Sequence, residues 1–202
     1  MTSLPMRDPR TDHLLTPHNA AFLFIDIQPI QVASVQSMDR RALVENIVNV
    51  AKTAMIFRVP VVLSTVNAAS PGGQASIPQL VEVLKGAPEL DRTQINAWED
   101  REFVAAVQAT GRKKLIFCAL WTEVCLAFPV LDALREGYEC YAVVDAVGGT
   151  SLAAHEAGLR RIEQAGARPI SWGSLMCELQ RDWQRKETSA QFAKVLFTVE
   201  GK

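Results

Sequence analysis

The sequence predicts an α/β fold, a mainly parallel sheet with helices on both faces, and three observations carry that prediction. Short apolar runs rich in β-branched or aromatic residues recur along the chain. Segments with apolar residues at helical spacing lie between them, and strand alternating with helix is the pattern of a parallel sheet buried on both faces. The 202 residues contain no Pro/Gly/Ser-rich linker and no charge run, so they read as one domain around one core.

The strand candidates in chain order are 20–25, 60–65, 114–119, 138–144 and 168–172. Between the first two, Leu43, Ile47, Val50, Ala51 and Ala54 follow a helical period; later, Phe103, Val104 and Val107 do the same. Asn96 followed by Glu99 has the form of a capping box, which predicts a helix from there through Ala109 with Gly111 just beyond its end. Gly137 and Gly166 similarly precede strands. The stretch 67–76, with Pro71, Gly72 and Gly73, reads as an exposed loop after the second strand. That places it near the carboxyl edge of the sheet, where open parallel sheets bind ligands.

Composition then excludes several functions. With 21 basic and 22 acidic residues the formal charge is -1, which gives no electrostatic reason to expect nucleic acid or an anionic membrane as partner. A small-molecule substrate fits better. The longest apolar stretch, 47–66, is interrupted by Lys52, Arg58 and Pro60 and does not read as a membrane span. Arg7, Asp8, Arg10 and Asp12 near the start leave no apolar core for a secretory signal, so the expected location is cytoplasmic. Cys118, Cys125, Cys140 and Cys177 are too few and too irregular for a disulfide scaffold, and no C-x-x-C pair is present. Asp26-Ile-Gln-Pro29 stands where a dinucleotide-binding glycine motif would follow the first strand, and no P-loop occurs; no cofactor is expected.

The chemistry concentrates in three places. Lys114 to Cys125 is a strand running directly into a helix that continues through Leu126, Val130, Leu131 and Leu134. With Thr122 as the N-cap candidate, Cys125 falls in the first helical turn, where free amide groups and the helix dipole favour a thiolate and can hold an oxyanion. Asp26 ends the first apolar run at the carboxyl edge, in position to take and return the thiol proton as a general acid/base. Arg92, just before the capped segment, would hold Asp26 ionised and favour the thiolate.

These residues resemble the isochorismatase-like cysteine hydrolases, and among them the YcaC-type branch. The matching pieces are the strand ending in Asp26, Asn96-Ala-Trp98, Trp-Thr-Glu-Val-Cys125 with Ala127-Phe-Pro129, Val144-Asp-Ala146 and Glu178-Leu-Gln-Arg-Asp-Trp183. They span about residues 13 to 185 in family order. The resemblance implies a three-layer α/β/α sandwich with a mainly parallel, Rossmann-like sheet of about six strands. It implies a triad of Cys125 as nucleophile, Asp26 as acid/base and Arg92 as basic member, where most of the family has Lys. It also implies a cis peptide at Leu120-Trp121, turning the Trp121 and Cys125 amides toward one oxyanion, with Asn96, Trp98 and Trp121 lining a substrate pocket. Metal-binding relatives carry an Asp-x-His pattern after the second strand; Ser64, Thr65, Val66 and Asn67 stand there instead, and His13, His18 and His155 are scattered, so no metal is expected.

The domain is accordingly expected at 1–185, with 186–202 an extension. The tail carries Trp183, Phe192, Val195, Leu196 and Phe197, an apolar set that predicts packing in a homo-oligomer, an octamer by resemblance. The expected activity is hydrolysis of a C–N bond in a small amide-like substrate through a thioester on Cys125. Two other classes compete: a non-catalytic assembly or binding protein of the same fold, and a thiol-redox protein using Cys125. Plainer roles suit the remaining candidates, with Cys118, Cys140 and Cys177 as packing or interface residues, Asp145 as a turn former and His155 without a function.

Overall fold

The structure, a computed structural model, describes residues 6–197. Six strands form one all-parallel sheet in the order β3-β2-β1-β4-β5-β6. They are β1 (Ala20–Ile25), β2 (Val61–Val66), β3 (Glu89–Arg92), β4 (Lys114–Ala119), β5 (Glu139–Val143) and β6 (Arg168–Ile170). The chain adds strands outward in one direction from β1 to β3, then returns to the other side of β1 with β4 and continues outward. The order therefore reverses between β1 and β4, and their carboxyl ends open the crevice in which such sheets bind ligands.

Alternation along the central strands divides the core into two layers. Phe22 and Phe24 of β1 and Ile116 and Cys118 of β4 face one layer, with Leu43, Ile47 and Val50 of α2 (Arg40–Ile56), Leu80 of α3 (Pro78–Val83) and Leu175, Met176 and Leu179 of α7 (Trp172–Gln180). Ala21, Leu23 and Ile25 of β1 and Leu115 and Phe117 of β4 face the other. There they meet Phe103 and Val107 of α4 (Arg101–Ala109), Val130 of α5 (Ala127–Arg135) and Ile162 of α6 (Leu152–Ala165). This is the three-layer α/β/α sandwich, and each fully buried Leu or Phe stabilises it by roughly 1.5–3 kcal/mol.

Several local expectations need correction. β3 was not foreseen, because Glu89-Leu-Asp-Arg92 is a short edge strand with one apolar residue. The last candidate strand stops at Ile170; Ser171 caps the Ser174 amide and Trp172 opens α7. Asn96 does cap, but only a single 3-10 turn (Ala97–Glu99), while Asp100 accepts from the Phe103 amide at 2.8 Å and begins α4. Gly111 behaves as expected, with φ 65° beyond the helix end.

The tail is also different. α8 (Ser189–Phe197) packs on α2 and α7, Phe192 is buried in the chain's own core, and Val195 and Leu196 lie against it. Most of the apolar set thus needs no second chain; Trp183 and Phe197, stacked on each other with centroids 6.0 Å apart, are the exposed remainder. Residues 198–202 lie outside the described part. Cys177 is exposed on the single chain, which excludes the core of the two places expected for it, core or interface. No helix among the described residues is long and apolar enough to cross a membrane.

Candidate active site

Asp26 is the first residue past β1 and adopts φ 59°, in the left-handed region that Asp tolerates better than most residues. Its amide still pairs with the Ser64 carbonyl at 2.9 Å, so the sheet ladder fixes the turn and projects the carboxylate into the crevice. The side chain is fully buried. Arg92, at the end of β3, reaches across β2 and meets it fork to fork, Nη1 to Oδ1 and Nη2 to Oδ2, each at 2.7 Å. Paired, hydrogen-bonded charges of this kind are how proteins keep ions out of water.

The guanidinium is held on its remaining sides as well. Nη1 also donates to Ser64 Oγ at 3.1 Å and the Thr65 carbonyl at 2.9 Å, and Nη2 to the Ile95 carbonyl at 3.3 Å. Sequence reasoning passed over Ser64, although a polar residue at the end of a buried strand is a signal for such a role. Gln28 was missed too: its amide clasps the Val66 backbone in both directions and the Gln74 carbonyl, tying the 67–76 loop to the site.

Cys125 enters from β4. The Leu120-Trp121 peptide is cis, and residues Thr122–Leu126 form a π-turn rather than the first turn of an α-helix. The Leu126 amide accordingly bonds the Trp121 carbonyl five residues back, at 3.1 Å. Thr122 is not the N-cap. Its hydroxyl instead pairs with His155 Nδ1 at 2.8 Å, which gives that histidine, on α6 as expected, a structural partner. On the same side Glu123 Oε1 accepts from the Thr150 amide and hydroxyl, and Gly158 of α6 presses directly against the Thr122–Glu123 backbone.

The thiol and the carboxylate are brought together. Asp26 acts on the Cys125 thiol by charge and by hydrogen bonding, and the Trp121 backbone acts on it in the opposite sense. Burial first, then the charge and hydrogen bond of Asp26, push the thiol far above its usual range; the Trp121 amide and Arg92 oppose this without prevailing. The helix-start influence expected to favour a thiolate is thus outweighed in the chain without substrate. Helix-start amides favour a thiolate, but a carboxylate against a nearly sealed sulfur favours the thiol more. Cys118 and Cys140 are also raised by burial, Cys140 to about 12.

The three residues nominated as pocket walls are mostly engaged in structure. Asn96 donates to Asp132 and Trp98 Nε1 to Glu136, each at 2.8 Å, which clips the segment after Arg92 onto the helix after Cys125. Trp121 Nε1 donates to Ser34 at 2.8 Å, against α1 (Pro29–Ser34). Asp145 accepts from the Trp172 amide and so links β5 to α7, more than a turn former. Two surface clefts, of about 440 and 630 Å³, lie elsewhere, one beside β2, β3 and α4 and one beside β5, β6 and α7. Neither borders Asp26, Arg92 or Cys125. Among the described residues no group of three His, Cys, Asp or Glu side chains is arranged to hold a metal ion.

A doubly wound parallel sheet with a cysteine, a carboxylate and a cation at its switch point defines a class of α/β folds with a polar site at the carboxyl edge, and the isochorismatase domain matches residues 20–174. The chain belongs to the isochorismatase family. It is 35% identical over 171 residues to the probable hydrolase YcaC of Escherichia coli, covering 84% of this chain and 82% of that one. YcaC from Pseudomonas aeruginosa, solved with hexane-2,5-diol and covalent acrylamide, superposes with a TM-score of 0.86 at 36% identity, covering 92% and 91% of the two chains. The Escherichia coli YcaC structure, described as an octameric hydrolase of unknown specificity, gives 0.86 at 33% identity, covering 92% of each chain. Within the family the chain lies in the YcaC-type branch, and it is a hydrolase.

Proposed function

We propose that the chain hydrolyses a C–N bond in a small amide-like substrate through a thioester on Cys125. The observation that carries this reading is the shared carboxylate: Asp26 holds the Arg92 fork on two oxygens and also reaches the Cys125 thiol. Asp26 takes the thiol proton as sulfur attacks the carbonyl carbon, and the amides of Trp121 and Cys125 receive the developing oxyanion. The same proton passes to the leaving nitrogen as the C–N bond breaks. Asp26 then deprotonates water, which cleaves the thioester to a carboxylic acid and restores the thiol. Arg92, always protonated, acts only by its field, keeping Asp26 available as a base.

A thiol-redox role is less well supported, because peroxide-reactive cysteines are exposed and have a lowered pKa, whereas this one is buried and raised. The octameric relative makes a homo-oligomer of the chain part of the same proposal. Incubation with a panel of small neutral amides, followed by intact-mass analysis, tests the mechanism. An acyl adduct on Cys125 with released amine is expected, and Cys125→Ala should lose both; amine release at an undiminished rate from Cys125→Ala would overturn it.

A further inference from the structure

Asp26 and Arg92 cancel one another inside the site, and the loops around them supply no second cation. The carboxyl-edge segments 26–39, 67–77, 93–100, 120–126 and 144–151 contain no Lys, Arg or His. They do contain Asp26, Asp39, Glu99, Asp100, Glu123 and Asp145. Arg92 is the one base at the end of a strand there, and both its terminal nitrogens are taken by Asp26, Ser64, Thr65 and Ile95. Its Nε is buried and has no hydrogen-bond partner. Of the bases on flanking helices, His155 pairs with Thr122, Arg40 Nε with the Val35 carbonyl, and Arg101 is exposed at the start of α4.

The geometry points to a charge-selective site: Asp26, by occupying the Arg92 fork, restricts the substrate of Cys125 to molecules uncharged at and around the reacting carbon. A carboxylate or phosphate entering the crevice gives up its water, finds no free guanidinium or ammonium, and lies beside a buried carboxylate; its desolvation goes uncompensated. A neutral amide bears neither penalty. This rests on Cys125 being the nucleophile.

The test is the ratio of Cys125 alkylation rates by iodoacetamide and iodoacetate, two reagents of nearly one shape that differ in charge. Both rates scale with the same thiolate fraction, so the ratio cancels the ionisation of the thiol and leaves the charge preference. On the full-length protein the ratio should exceed that measured for 2-mercaptoethanol by at least about tenfold. Asp26→Asn keeps the side-chain shape and releases the Arg92 charge, so the ratio should fall toward or below that of the free thiol. Should Asp26→Asn fail to fold, Ile95→Lys adds an ammonium at an exposed position next to the Arg92 contact and should lower the ratio in the same sense. A wild-type ratio equal to that of 2-mercaptoethanol overturns the charge selection while leaving the nucleophile in place. A ratio unmoved in a folded Asp26→Asn or Ile95→Lys protein makes the preference steric and also overturns it. If neither reagent labels Cys125 even at the highest pH at which the protein stays folded, the nucleophile itself is wrong, and the charge selection falls with it.

Discussion

The two ends of the sheet each bury a cation, and they do so differently. At the amino edge Lys114 opens β4 with its ammonium turned inward onto three backbone carbonyls, those of Asp12 and His13 at 2.7 Å and Leu14 at 3.2 Å. At the carboxyl edge Arg92 faces a full carboxylate that in turn reaches a thiol. Carbonyl dipoles neutralise Lys114 only in part, and burial pulls its ammonium below the usual range; it serves to tie the first turns of the chain onto the sheet. Arg92 is matched by a formal charge that has a second neighbour to act on. A buried cation is thus no sign of function by itself; the partner it is given decides.

The contrast is broken most severely by removing one element from each end. Cys125→Ala should abolish amide hydrolysis, a loss of at least about a thousandfold, with little change in melting temperature. Lys114→Met should do the opposite. Three carbonyls lose their donor, at a cost of about 2–4 kcal/mol in chemical denaturation, while activity per folded molecule stays within about twofold. Comparable losses of activity in both variants would mean that the two edges are not functionally distinct.

A gentler probe compares two glycines. A Cβ on Gly158 would stand 2.9 Å from Glu123 Cα and 3.0 Å from its amide, so Gly158→Ala must push the π-turn that carries Cys125. Turnover should fall about tenfold, with destabilisation of about 1–3 kcal/mol. A Cβ on Gly173 in α7 meets nothing within 4 Å, and Gly173→Ala should leave turnover unchanged and add up to about 1 kcal/mol of stability. Steady-state kinetics beside urea melts on both variants separates the effects.

The sequence disclosed the site unevenly, for physical reasons. The cores of β1 and β4 were legible because both are uninterrupted apolar runs ending abruptly, and a polar residue at such an end, Asp26, stands out. β3 was invisible because an edge strand needs little apolar surface, and Arg92 was placed through its position and the family resemblance. The π-turn has no marker, since an i→i+5 bond asks for no particular residue; Thr122 therefore looked like an ordinary cap. Cys125 stood out by its place after β4, but the influences on its thiol were legible only in part. Helix-start amides can be counted along a chain, whereas the degree of burial and the approach of Asp26 exist only once the strands are side by side. Lys114, at the start of an apolar run, gave no hint that its ammonium is buried.

The charge of Arg92 favours the Cys125 thiolate against burial and Asp26, and the pH dependence of Cys125 alkylation by iodoacetamide tests that most directly. In the wild type the rate should keep rising above the ordinary thiol range of about 8.5, because burial and Asp26 hold the proton on sulfur. Arg92 is one of the two influences that lower the thiol, so Arg92→Met should move the curve to still higher pH and slow labelling at every pH below it. Arg92→Lys restores the charge and should return the curve most of the way to wild type. Three coincident curves, or a curve displaced to lower pH in Arg92→Met, would contradict the coupling.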